Sequence, residues 1–227
     1  MHICRFFVIQ TYLFNAIMLI PSKNYVIFIV TGGNLIRITT EIIDTLSERY
    51  KQPHIKLQQM VRRGELFKVV RGLYETDPGS PGELLASAIY GPSYLSFEYA
   101  LSRHGLIPEA VHVFTSATFG KNKTKMYSTP FGNFMFQDIP SRVFSYGVVL
   151  ENMDDRPFAM ACPEKALCDR LYKEKPLQSV RTLQLCLFDE LRIDTGDFNN
   201  LDKNLIMEIA PLYAKRNLLL LQKVVKK

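Results

Sequence analysis

No aspartate or glutamate occurs in the first 38 residues, where Arg5, Lys23 and Arg37 are the charged side chains. That absence leaves two apolar runs, Phe6 to Ile20 and Tyr25 to Val30, broken by Pro21-Ser22-Lys23-Asn24. The first run has a length shared by signal-peptide cores and buried segments. It carries Gln10 and Asn15, and no small-x-small cleavage site follows. The second is too short to span a bilayer and reads as a strand. Residues 1–38 thus read as an apolar N-terminal extension. Membrane contact, or a native start at an internal codon such as Met18, are the other readings of it. The four cysteines, Cys4, Cys162, Cys168 and Cys186, contain no Cys-x-x-Cys pair and no zinc-finger spacing to a histidine pair. They read as small buried hydrophobes in a reducing cytoplasm. His2, His54, His104 and His112 are scattered, which argues against a histidine metal site. The chain lacks a P-loop, a Gly-x-Ser-x-Gly elbow, a Gly-Ser pair followed by spaced aspartates, a fixed-period repeat and a low-complexity tract.

What is present is ordinary globular material. The 227 residues are 47% hydrophobic and 22% charged, enough for a core and for one large or two small domains. Net charge is +6, which permits contact with an anionic partner without demanding it. Its distribution is more informative. Between Arg49 and Gly72 stand Arg49, Lys51, Lys56, Arg62, Arg63, Lys68 and Arg71, against the single acid Glu65. That window alone carries +6, so the rest of the chain is neutral on balance.

The punctuation around this window defines a module over residues 39–76. Thr39-Thr40-Glu41 opens a helix with a cap residue and an early acid, and Ile42, Ile43 and Leu46 share one face. Pro53 starts a second helix with Ile55, Leu57, Met60 and Val61 as its apolar face, and Gly64 stops it. Leu66 to Arg71 reads as a strand, Gly72 as a turn and Leu73-Tyr74 as a return strand. Helix, glycine, basic strand, turn and strand is the layout of a winged helix. Gln58 and Gln59 are suited to base edges, and Lys56, Arg62, Arg63, Lys68 and Arg71 to phosphates. Tyr50 to His54 leaves little room for a middle helix. The module is therefore abbreviated, or an element comes from residues 1–38.

Asp77-Pro78-Gly79-Ser80-Pro81-Gly82 is a breaker cluster and marks a domain boundary. Residues 77–227 then read as a mixed α+β domain. Helices are expected at Glu83–Ile89, Ser96–Arg103, Pro163–Tyr172, Arg181–Leu191 and Asn204–Lys223, the last interrupted near Pro211. Strands are expected at Val111–Thr115, Lys125–Thr129, Asn133–Asp138 and Tyr146–Leu150. Ser96 is expected to cap its helix and Gly105 to close it. Glu164 suits the first turn of the Pro163 helix, with Lys165 beside it, and Asp169 is placed to pair with a nearby Arg or Lys.

Several strings in this order resemble a known family. They are Gly64-Glu65-Leu66 through Arg71-Gly72-Leu73-Tyr74; Tyr90-Gly91-Pro92-Ser93-Tyr94-Leu95-Ser96 with Ala100-Leu101 and His104 to Glu109; Thr115-Ser116-Ala117; and Ala161-Cys162-Pro163-Glu164-Lys165-Ala166-Leu167-Cys168-Asp169. Together they resemble the AbiEi family of type IV toxin–antitoxin antitoxins, over about residues 39–175. The resemblance marks Ser93, Tyr94, Ser96, His104, Gly105, Pro163, Glu164, Lys165 and Asp169 as family-motif positions. It implies a winged-helix N-terminal domain that represses its own promoter by binding double-stranded DNA. It also implies a C-terminal domain that opposes a nucleotidyltransferase-like toxin without requiring a stable complex. The residues themselves offer no catalytic motif, so neither catalysis nor a cofactor is expected.

Two rival functions remain open on the residues alone. A nucleic-acid-modifying enzyme has Glu164, Lys165 and Asp169 as its compact acid–base set. Glu164 and Asp169, five apart on a helix, diverge rather than converge on a metal pair. A non-catalytic protein-interaction module is the second. Leu218 to Leu221 with Val224 and Val225 is either core or a surface for a partner or a homo-oligomer. The loop cluster Lys121, Lys123 and Lys125 reads as a solvated turn within reach of a nucleic-acid backbone.

Overall fold

Proline and glycine set several element boundaries in the structure, a computed structural model that describes residues 17–22, 25–30, 36–153 and 155–226. Strands β1 (Ile17–Ser22) and β2 (Tyr25–Val30) form an antiparallel hairpin. The second run is thus a strand, as its length indicates. The earlier part of the first run, residues 6–16, lies outside the described residues.

The basic window belongs to a small layered unit: β3 (Ile36–Ile38), α1 (Thr39–Ser47), α2 (Pro53–Arg62), β4 (Phe67–Val70) and β5 (Leu73–Glu75). Its sheet has the order β3-β5-β4, with both pairings antiparallel. The third strand therefore comes from residues 1–38, pairing Ile36 with Glu75 and Ile38 with Leu73. Pro53 occupies the first turn of α2, where its missing N–H costs nothing. Gly64 takes φ +71, and the N–H groups of Gly64 and Glu65 donate to the carbonyls of Val61 and Met60. That left-handed stop turns the chain directly into the hairpin.

Leu57 of α2 packs with Ile42 and Leu66 in a small core flanked by Leu46, Met60 and Val61. Ile55, expected on this apolar face, is instead 50% exposed. It lies two positions before Leu57, roughly 200° around the helix. Val69 and Leu73 of the hairpin join a second, much larger core.

That larger core belongs to α3 (Gly82–Ile89), β6 (Tyr94–Leu95), α4 (Phe97–Arg103), β7 (Val113–Thr118), β8 (Lys125–Thr129), β9 (Gly132–Asp138), β10 (Val148–Met153), β11 (Arg156–Ala161), α5 (Pro163–Lys173) and the helices that follow. Helix α6 (Val180–Leu185) continues into a wider π turn at Cys186–Glu190. Then come α7 (Thr195–Asn200), α8 (Lys203–Ile209), a 3₁₀ turn at Ala210–Tyr213 and α9 (Arg216–Val225). Six strands run in the order β10-β11-β6-β7-β9-β8. Pairs β11–β6 and β7–β9 are parallel and the others antiparallel, so the fold is α+β with a mixed sheet.

Three elements carry no clear signal in the sequence. Strand β11 is buried from Phe158 to Ala161, so it shows no alternation to read. Strand β6 is two residues long and depends on its neighbours. Helix α7, Thr-Gly-Asp-Phe-Asn-Asn, is made of poor helix formers and is started by the Asp194 carboxylate, which accepts from the Gly196 and Asp197 N–H groups. Two expected strands are displaced along the chain, Val111–Thr115 to Val113–Thr118 and Tyr146–Leu150 to Val148–Met153. The C-terminal leucine run is mostly core: Leu218, Leu220, Leu221 and Val225 are buried, and Leu219 points outward. No helix among the described residues is long and apolar enough to cross a membrane.

Candidate nucleic-acid interface

Helix α2 presents two faces of opposite character. Leu57 faces the small core, with Met60 and Val61 half-buried beside it. Ile55, Gln58, Gln59 and Arg62 are exposed. Their spacing of three, four and seven places them on one outer face of the helix. Lys56 is half-buried, its ammonium 5.2 Å from the centre of the Tyr50 ring. Arg63 follows as the cap residue and makes a loose contact with Glu65 at 3.8 Å.

The hairpin continues the same polarity. In β4 the side chains alternate, with Val69 buried and Lys68 exposed opposite Tyr74. Arg71 is exposed at the turn. Among the described residues, the Arg63–Glu65 contact is the one ion pair made by these cations. Pairing so exposed and so long contributes little. Apart from that contact, the cations of the window make no ion pair among the described residues.

The family-motif residues are placed differently. Tyr94 and Ser96, from β6 and the turn after it, meet Lys165 and Asp169 of α5 and Tyr213 of the 3₁₀ turn, all buried. On Asp169, Oδ2 accepts from the Tyr94 hydroxyl at 2.9 Å and the Ser96 hydroxyl at 2.7 Å. Its Oδ1 accepts from Lys165 Nζ at 3.0 Å and the Tyr213 hydroxyl at 2.5 Å. Four donors fill the acceptor capacity of one carboxylate. Lys165 Nζ also donates to the Tyr213 oxygen at 2.6 Å and lies 4.8 Å from that ring's centre. The expected partner of Asp169 is thus Lys165, one helical turn away and fully buried with it.

This network explains why Ser96 does not cap α4 with its side chain. Its hydroxyl is committed to Asp169. The Tyr99 N–H, which a cap would have taken, donates instead to the Thr115 hydroxyl at 3.0 Å. That hydroxyl in turn donates to the Ser96 carbonyl at 2.6 Å. Phe97 sits between them at φ +55, a strained conformation for a side-chain-bearing residue. Gly105 closes α4 at φ +71, as expected. His104 Nε2 donates to the Ala161 carbonyl at 2.8 Å, tying the end of α4 to the end of β11. Pro163 begins α5, and Glu164 accepts from the Asp202 N–H at 2.8 Å. Ser93 is buried, and its hydroxyl has no partner among the described residues.

Burial dominates the electrostatics of this core. It pushes the Tyr94 and Tyr213 phenols well above their usual pKa, and the neighbouring Asp169 charge adds to both shifts. Cys162, Cys168 and Cys186 are free thiols. Burial raises Cys162 to about 12 and Cys186 to about 11. Neither is activated as a nucleophile. Glu164, Lys165 and Asp169, the acid–base set read from the sequence, bond inside the protein and Glu164 does so apart from the other two. No cluster of His, Cys, Asp and Glu among the described residues has the makings of a metal site.

The basic residues are legible in the sequence, whereas the roles of Tyr213 and Ile55 are not read from it. Tyr213 leaves no local signal, since its partners lie far away in the chain. The outward position of Ile55 is detectable from its angular offset to Leu57. Compared with known proteins, the chain matches no protein-family model and no curated protein.

Proposed function

We propose that this protein is a cytoplasmic DNA-binding regulator, with residues 36–75 acting as an abbreviated winged helix. Strand β3 supplies the third strand of the wing sheet, α2 is the helix laid in the major groove, and the β4–β5 hairpin lies along the neighbouring backbone. The observation that carries this reading is the outer surface of α2 and the hairpin. Gln58, Gln59, Arg62, Arg63, Lys68 and Arg71 are all exposed there, with cations that are not neutralised internally. Gln58 and Gln59 carry the amide groups that pair with adenine edges, and the arginines and lysines the charge that holds phosphates.

The order of motifs from Gly64 to Asp169 supports a further step. The chain acts as the autorepressing antitoxin of a type IV locus and opposes a nucleotidyltransferase-like toxin without a lasting complex. Its larger domain works as a folded platform, because four of its motif residues, Tyr94, Ser96, Lys165 and Asp169, are spent on one buried network. The test is binding of the purified protein to the DNA upstream of its own reading frame, against scrambled DNA, over a salt series. Tighter binding to the promoter, with log affinity falling linearly in log salt, is expected. Equal affinity for both DNAs at every salt concentration refutes sequence-specific repression.

A further inference from the structure

Within residues 39–76, Tyr50 and Ile55 are the large apolar side chains left exposed, at 43% and 50%. Tyr50 lies beneath the Lys56 ammonium. Ile55 shares the outer face of α2 with Gln58, Gln59 and Arg62. A single exposed isoleucine on a protein surface needs no explanation. Its placement here is the informative part. It is the third residue of α2, at the N-terminal end of the helix, and N-terminal residues of recognition helices are the ones that contact base edges. It is β-branched and stiff, so it holds its methyl groups in place. In the major groove the thymine 5-methyl is the apolar group offered by the bases.

We propose that Ile55 reads the 5-methyl group of a thymine in the operator. Ile55 and Gln59 are about 6 Å apart along the helix axis, close to two base-pair steps of about 3.4 Å. The thymine therefore lies within about two base pairs of the base that Gln58 or Gln59 contacts. This inference rests on the DNA-binding reading above and adds a base identity to it.

The probe is the DNA upstream of the protein's own reading frame, prepared once with thymine and once with uracil throughout. Uracil removes the methyl and keeps the hydrogen-bonding edge. Wild type, Ile55→Ala and Ile55→Val are compared on both DNAs by fluorescence anisotropy over a salt series, with circular dichroism to verify the fold. Wild type should bind uracil DNA about fourfold more weakly for each thymine methyl that it buries. Ile55→Ala should be weakened on thymine DNA and indifferent to uracil, while Ile55→Val keeps the discrimination. The salt slope should not change, because every phosphate stays neutralised as before. Equal binding of both DNAs by wild type overturns the proposal. So does a uracil penalty of the same size in Ile55→Ala, since the methyl is then sensed elsewhere. If wild type does not prefer the promoter DNA, in either form, to scrambled DNA, the sequence-specific reading itself fails and this inference falls with it.

Discussion

The two parts of this protein handle charge in opposite ways. Around α2 and the β4–β5 hairpin, seven cations stand in a window with one acid, and their one ion pair among the described residues is a 3.8 Å surface contact. In the larger domain a lysine and an aspartate are fully buried 3.0 Å apart, with three hydroxyl groups completing the aspartate's hydrogen bonds. The difference follows from solvent. An exposed cation keeps its hydration and can exchange it for a phosphate at little cost. A buried charge has lost its water and must be matched on every side. The small module therefore has charge to offer a ligand, and the larger domain has a polar core that fixes how α4, α5 and the 3₁₀ turn meet.

The sharpest way to break this comparison is to remove one member of the buried pair. Asp169→Ala leaves Lys165 as an unpaired buried cation and should cost about 3–5 kcal/mol, read as a lower urea midpoint. A midpoint within error of wild type means that the network does not support the fold. Next in size is the boundary between the regions. Val69 and Leu73 of the hairpin pack in the large core, so a fragment beginning near Gly79 lacks both. It should still unfold cooperatively, but a few kcal/mol less stable than the whole chain. Non-cooperative unfolding of that fragment makes residues 36–76 part of a single shared core.

Alkaline pH tests the same network without a mutation. The phenols of Tyr94 and Tyr213 titrate higher in the folded protein than in the unfolded chain. A group with a raised folded pKa contributes stability that is complete below the unfolded value, near 10, and is lost as pH rises above it. Stability should thus fall above about pH 10, and less steeply in Tyr94→Phe. Tyrosinate absorbance that is complete before unfolding begins contradicts burial of these rings. The smallest stability effect belongs to the exposed module. Arg62→Ala with Arg63→Ala should change the unfolding midpoint little, by about 0.5 kcal/mol or less. The same pair should weaken promoter binding and flatten its salt slope by about 0.9 for each phosphate no longer neutralised. A large drop in stability with unchanged affinity inverts the division of roles.

Local chemistry is legible in the chain itself. Pro53 and Gly64 bound α2, Gly105 ends α4, and Pro163 begins α5, because each acts through its own backbone. The Lys125–Thr129 strand and its partner are visible from composition and the turn between them. The concentration of positive charge needs only counting. Ser96 departs from its expected role at the level of its side chain, because a hydroxyl beside a helix start has a local use and a distant competitor. Asp169 wins that competition from 73 residues away.

The sequence by itself determined where the charge lies, where most helices start and stop, and the α+β character of the chain. Tertiary structure decided which strands exist at β6 and β11, which neighbour supplies the third strand of the small sheet, and what the motif residues do. Tyr94 and Tyr213 reach Asp169 across 75 and 44 positions of chain. Such contacts depend on the packing of whole elements, while a helix cap or a glycine turn is set by the few residues that make it.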